Sequence, residues 1–213
     1  MAIQQGAFNF TQKFANAVGR KGRAPETWIA SIHVKKIKNP NTETQQQIRT
    51  KFKMLGSFGT KCMGFCKIGF GSKRNPGETW LNAFNRVNFD DGITGTWPSF
   101  VLNYTKLCLA QGPVDNPYNP SAAIQGTDIN ITWTDNSGIG NARDSDKVMF
   151  IVYNTDKKQS IADSEAADRS TRQASYSLPS TWSGDKIVVY FAMQRVSTRE
   201  CSDSIYLGEF TLS

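Results

Sequence analysis

Asp128-Ile129-Asn130-Ile131-Thr132-Trp133-Thr134 alternates polar and apolar residues without a break. Successive side chains of a strand point to opposite faces, so Ile129, Ile131 and Trp133 share one face and the polar residues the other. A half-buried strand is the consequence, and Asp135-Asn136-Ser137-Gly138 behind it supplies a turn. The same grammar marks strands over Phe100 to Leu109, Lys147 to Tyr153, Ala174 to Leu178, Lys186 to Met193 and Ser204 to Leu212. Turns fall at Asn154 to Lys158, Pro179 to Gly184 and Ser197 to Glu200. Strands at this spacing without helices between them predict an antiparallel β-sandwich of immunoglobulin or fibronectin type III character. The Cys–Trp–Cys pattern of true immunoglobulin domains is not recognisable. Val114 to Ala123, rich in proline and asparagine, reads as the linker that precedes the sandwich.

Upstream the period changes. Asn39-Pro40-Asn41 signals a turn, and Thr42 stands three residues before Gln45 in a capping-box arrangement, so a helix should begin there. Ile48, Phe52, Leu55, Cys62, Phe65, Cys66 and Phe70 then keep one apolar stripe at helical spacing. At about 100° per residue, Arg49, Lys53 and Lys67 lie together on the opposite face. Gly56, Gly59, Gly64 and Gly69 weaken this long helix, or else let another helix or backbone come close. A short second helix is predicted over Glu78 to Phe89, with Trp80, Phe84 and Val87 on one face. Met1 to Asn39, broken by Gly6, Gly19, Gly22 and Pro25, reads as strands or an extended arm. The whole is an α+β chain, with a basic strand-and-helix domain over residues 1–112 and a sandwich over 124–213.

Charge divides along the same line. Up to Ala110 there are 16 Lys and Arg against 5 acids, a balance of +11; from Gln111 onward there are 9 against 13, a balance of −4. No apolar run reaches the roughly 18 residues of a membrane span, and no secretory leader pattern opens the chain. The expectation is a cytoplasmic protein, or a virion protein if the chain is phage-encoded. Cys62, Cys66, Cys108 and Cys201 lack framework spacing and sit among apolar neighbours, as free thiols of a reducing compartment do.

Few motifs carry chemistry. His33 is the single histidine, and no nucleophile or oxyanion turn lies near it in sequence. Cys62 and Cys66 stand one helical turn apart, but structural zinc wants four ligands and neither other cysteine comes as a pair; buried small hydrophobes is the plainer reading. Gly69-Phe70-Gly71-Ser72-Lys73 lacks the spacing of a phosphate loop. Asp90-Asp91, Asp144-x-Asp146 and Asp163-x-Glu165 fall in polar stretches and read as solvated loop carboxylates. No catalytic residue, metal ligand or cofactor is therefore expected, and the chain is read as non-enzymatic. What stands out is the basic region: Arg20, Lys21, Arg23, Lys35, Lys36, Lys38, Arg49, Lys53 and Lys67, interleaved with Trp28 and Phe52. Such a surface suits an acidic protein partner or simple solvation, and non-specific contact with a nucleic-acid backbone stays open.

Several stretches together, among them Gly6-Ala7-Phe8-Asn9-Phe10-Thr11, Lys38-Asn39-Pro40-Asn41-Thr42, Gly92-Ile93-Thr94-Gly95-Thr96-Trp97-Pro98 and Ser204-Ile205-Tyr206-Leu207-Gly208, resemble an uncharacterised family of small Bacteroidota and phage proteins. The resemblance spans the chain and brings no functional residues with it. It implies a basic front and a sandwich-like tail. The functional expectation is a structural subunit, head- or tail-associated in a phage, whose partners are copies of itself or other structural subunits. The alternative is a non-sequence-specific nucleic-acid-binding protein. Neither reading requires a membrane or a small-molecule substrate.

Overall fold

The structure, a computed structural model, describes residues 40–212 throughout and, among the first 39, the backbone of β1 (Gln4–Gln5), β2 (Asn9–Phe10), β3 (Lys13–Phe14), β4 (Ala17–Lys21) and β5 (Trp28–Ile32). The chain forms two compact units, Met1–Glu43 and Thr44–Ser213. In the first, β1 pairs with β2, and β3, β4 and β5 make an antiparallel sheet, as the glycine-broken, β-branched sequence predicts.

The second unit is built in three layers. Helices α1 (Glu43–Lys61), α2 (Met63–Gly69) and α3 (Trp80–Asn88) form the first, followed by the short pair β6 (Ile93–Thr94) and β7 (Val101–Leu102). The middle sheet runs β11 (Gln159–Asp168), β10 (Lys147–Asn154), β13 (Lys186–Arg195), with β14 (Glu200–Cys201) and β15 (Ile205–Thr211) both pairing the far edge of β13. The outer sheet runs β12 (Gln173–Ser177), β9 (Asp128–Thr134), β8 (Tyr118–Gln125). All pairings are antiparallel.

Parity along β10 and β13 divides the core in two. Met149, Ile151, Tyr153, Val188, Tyr190 and Ala192 face the helices, where they meet Leu55, Phe58, Phe65, Phe70 and Phe84. Val148, Phe150, Val152, Val189, Phe191 and Met193 face the outer sheet, where they meet Ile129, Ile131 and Trp133. A sheet covered on both faces must be apolar at successive positions, which is why β10 and β13 read as runs and not as alternation.

Several expectations are corrected. Residues 114–123 are no linker: Val114 is buried in the sandwich core and Tyr118–Gln125 is strand β8, whose Ala122 and Ile124 pack inward beneath the polar composition. The boundary expected between residues 112 and 124 falls inside one compact unit, because the helices use the middle sheet as their floor. The single long helix is two, broken at Cys62 (φ −91°, ψ 19°), whose carbonyl accepts from both Phe65 and Cys66 N–H. Of its stripe, Leu55, Cys62, Phe65, Cys66 and Phe70 are buried, while Ile48 and Phe52 are 44% and 47% exposed. Two glycines explain the helix packing. A Cβ on Gly59 would stand 2.9 Å from the Phe84 ring of α3, and one on Gly69 would stand 2.6 Å from the Leu109 carbonyl. The strand expected over Phe100 to Leu109 stops at Leu102, where Asn103 starts a turn by accepting Lys106 and Leu107 N–H at its carbonyl. Leu107, Leu109 and Ala110 then lie buried beneath the helices, with the Asn88 side chain bridging the backbone N–H and carbonyl of Cys108. Asp163 and Glu165 sit on strand β11, not in a loop.

Asp146 is the largest departure. Far from being a solvated loop carboxylate, it is 1% exposed between two buried guanidiniums. Arg169 Nη2 donates to its Oδ2 at 3.0 Å and Arg195 Nε to its Oδ1 at 3.0 Å. Further guanidinium N–H groups reach Asn136 and Asn141 oxygens and the carbonyls of Asp115, Asn141 and Arg143. Two buried cations on one carboxylate are tolerable because every guanidinium nitrogen donates at least one hydrogen bond in this way. The knot ties the 135–146 loop, the segment leading into β8, the turn after β11 and the end of β13 into one block.

Candidate functional site

That block fixes the base of the β13–β14 hairpin, and the hairpin forms one wall of a cleft of about 820 Å³. Facing it are α2, the loop after it, and Trp80 at the head of α3; β11 and the end of β13 complete the lining with Glu165 and Gln194. Each part has a local cause. Trp80 is placed by Thr79, whose hydroxyl caps α3 by accepting Asn82 N–H at 3.2 Å. The preceding loop is pinned by Glu78, which accepts from Arg86 Nε at 3.1 Å and from Asn75 N–H at 2.9 Å; the Arg86 contact holds its carboxyl below the usual carboxylate range. Lys67 stands on the solvent side of α2 because its neighbours Phe65 and Cys66 take the core side. Arg74 follows in the loop after α2, its Nε directed at the Gly71 carbonyl at 3.4 Å. Arg199 occupies the left-handed region at φ 58°, donating its N–H to the Arg195 carbonyl at 2.8 Å to close the hairpin.

Three cations and one acid therefore surround the cleft: Lys67, Arg74 and Arg199 against Glu165. The net charge favours an anion. Gln194 adds a second kind of signal. It is 8% exposed, lines the cleft, and its buried Oε1 has no hydrogen-bond partner.

Of the basic residues singled out in the sequence, Arg20 and Lys21 lie on strand β4. Arg23, Lys35, Lys36 and Lys38 lie outside the described residues, as does His33. Arg49 and Lys53 are exposed on α1, and Lys67 is exposed on α2; the break at Cys62 separates Lys67 from the helix that carries the other two. Among the described ones, only Lys67 joins the cleft. Arg74, Gln194 and Arg199 carry no functional signal in the sequence, and Trp80 reads there only as part of a helix face.

The thiols take no part. Cys62, Cys66 and Cys201 are buried in the core between helices and middle sheet, and desolvation raises the pKa of each, that of Cys201 to about 12. A metal binds the thiolate, so this setting opposes ligation by Cys62 and Cys66. Among the described residues no three His, Cys, Asp or Glu side chains gather as a metal site, and no helix is long and apolar enough to cross a membrane.

No curated protein matches the chain. The model of a family of unknown function, DUF6266, matches residues 9–208, a span that takes in strands of the first unit and all three layers of the second. With nearly the full length matched, the chain belongs to this family of unknown function, DUF6266.

Proposed function

We propose that the protein is a non-enzymatic structural and assembly protein, a subunit of a phage virion, that docks through its basic N-terminal half onto another copy or another structural subunit and displays its sandwich. The observation that carries this reading is the charge of the helical layer. Residues 44–74 hold seven bases and no acid. Arg49, Lys53, Lys61, Lys67, Lys73 and Arg74 are exposed, while the seventh, Lys51, packs its ammonium 5.3 Å from the ring centres of Phe89 and Phe100. The ion pairs among the described residues draw on Arg86, Lys147, Lys157, Arg169 and Arg195, so Lys53, Lys61, Lys67, Lys73 and Arg74 are not neutralised by them. A cationic face of this kind attracts an acidic surface, and the residues after Ala110 carry a net −4. The strand order supports the fibronectin type III character of the displayed part: the first, second and fifth sandwich strands (β8, β9, β12) make one sheet, and β11, β10, β13 and β15 the other. Light scattering of the purified protein at low and physiological salt, with mass spectrometry of purified particles, tests the proposal. Salt-sensitive self-association or presence in particles supports it; a strict monomer absent from particles overturns it.

The same face favours a second reading, non-sequence-specific nucleic-acid binding. A filter-binding salt series separates the two, since each phosphate contact on duplex DNA adds about −0.9 to the slope of log affinity against log salt. A flat response removes this reading.

A further inference from the structure

We infer that the cleft between α2, α3 and the β13–β14 hairpin is a binding site for a nucleoside phosphate, with the phosphate held by Lys67, Arg74 and Arg199 and the base lodged against Trp80. This goes beyond docking through the helical face, which requires no concave site. Four observations converge. The cleft, at about 820 Å³, matches the size of sites that enclose a small organic ligand. Its cations come from three separate segments, a helix, a loop and a hairpin, and outnumber the single acid three to one. Guanidinium forks suit phosphate oxygens bidentately, and an indole face suits a planar base.

Gln194 is the third. A buried amide oxygen without a donor is rare, because its desolvation goes uncompensated. The residue belongs to the helix-facing parity of β13, and it lies at the sheet end that the cleft exposes. The residue lines the cleft while its oxygen is buried; a turn of the amide about its last, softly restrained torsion aims that oxygen at a ligand, where the exocyclic amine of a base supplies the missing N–H. Glu165, on the β11 wall, is an acceptor for ribose hydroxyls.

The fourth is Arg199. A β-carbon is disfavoured at φ 58°, and nothing in the hairpin's own hydrogen bonding, which uses the Arg199 backbone, requires a side chain there. The cleft gives that side chain a purpose.

Isothermal titration of the full chain with adenosine diphosphate tests the assignment. One molecule should bind per chain, and inorganic phosphate alone should bind at least tenfold more weakly. Arg199→Gly relieves the left-handed strain, so it should keep or raise Tm while weakening the nucleotide about tenfold or more, the effect of one lost charged contact. Lys67→Glu, on an exposed helical position, should weaken it at least as much without unfolding. No heat with the wild-type chain, or affinity unchanged in both variants, overturns the site; phosphate binding as tightly as the nucleotide overturns its nucleoside part. An oligodeoxyadenylate strand that displaces the nucleotide identifies single-stranded nucleic acid as the source of the ligand, and one that does not identifies the free nucleotide. None of these outcomes depends on self-association.

Discussion

Replacing Asp146 by asparagine probes the buried charge knot with almost no change of volume. In the native chain the carboxylate receives Arg169 Nη2 at 3.0 Å, Arg195 Nε at 3.0 Å, Arg195 Nη2 at 3.3 Å and the backbone N–H of Arg143 at 2.9 Å. An amide removes the charge opposite two guanidiniums that are 0% and 4% exposed, and it turns an NH2 group toward their N–H donors. Breaking a buried pair by removing one partner typically costs about 3 to 5 kcal/mol. For a domain of this size that lowers Tm by about 6 to 20 °C. Urea unfolding followed by tryptophan fluorescence reads the change directly, because Trp133 donates its indole N–H to the Arg169 carbonyl at 2.7 Å and so reports on the knot. Asp144→Asn is the control. It is exposed, its side chain accepts only the adjacent Ser145 N–H at 2.8 Å among the bonds described, and its replacement should stay within about 0.5 kcal/mol of wild type. Equal effects of the two substitutions, or a loss below about 1 kcal/mol at Asp146, would refute the reasoning.

Gly69→Ala forces a Cβ to 2.6 Å from both Ala110 Cβ and the Leu109 carbonyl and should cost about 1 to 3 kcal/mol, whereas Gly56→Ala meets nothing within 4 Å inside α1 and should gain about 0.8 to 1 kcal/mol; urea midpoints that move in the same direction refute this account of the helix packing. Burial raises the Cys201 thiol from 9.0 to about 12 and the Tyr153 phenol from 10.0 to about 12, so the folded chain keeps protons that the unfolded chain gives up. Stability from these groups is complete below the unfolded values and lost as pH rises toward the folded ones, with a slope of about 1.4 kcal/mol per pH unit for each group; a urea midpoint constant between pH 8 and pH 11 would count against it. Cys108 is half-buried, its Sγ directed at the Ala110 carbonyl at 3.1 Å, while the other three cysteines are buried. Burial raises the Cys108 thiol too, so native protein should show one thiol that reacts slowly but ahead of the other three towards an aromatic disulfide reagent and four after denaturation, and Cys108→Ser should remove that one.

The strands that were legible are those whose signal is local. Asp128–Thr134 carries its period within seven residues and is strand β9 as read, and the helix start after Thr42 and the Thr79 cap before α3 need only their own first turns. Tyr118–Gln125 was illegible for the opposite reason: its prolines and asparagine resemble a linker, and strand β8 exists because β9 offers partners to its backbone. Lys147–Asn154 and Lys186–Arg195 read as strands, and their unbroken apolarity marks a sheet covered on both faces, but which elements cover it is set by packing and not by the runs themselves.

What sequence alone determined is the α+β composition, the period of each strongly patterned element and the concentration of positive charge toward the amino end, all properties of residues within a few positions of one another. Tertiary structure decided which face each element buries, that the helices and the outer sheet cover opposite faces of one middle sheet, and that Asp146 is buried while Asp144 is solvated. It also decided that Lys67, Arg74 and Arg199, up to 132 positions apart, meet at one cleft. Desolvation and pairing depend on neighbours that lie close in space and far along the chain, and no local pattern records them.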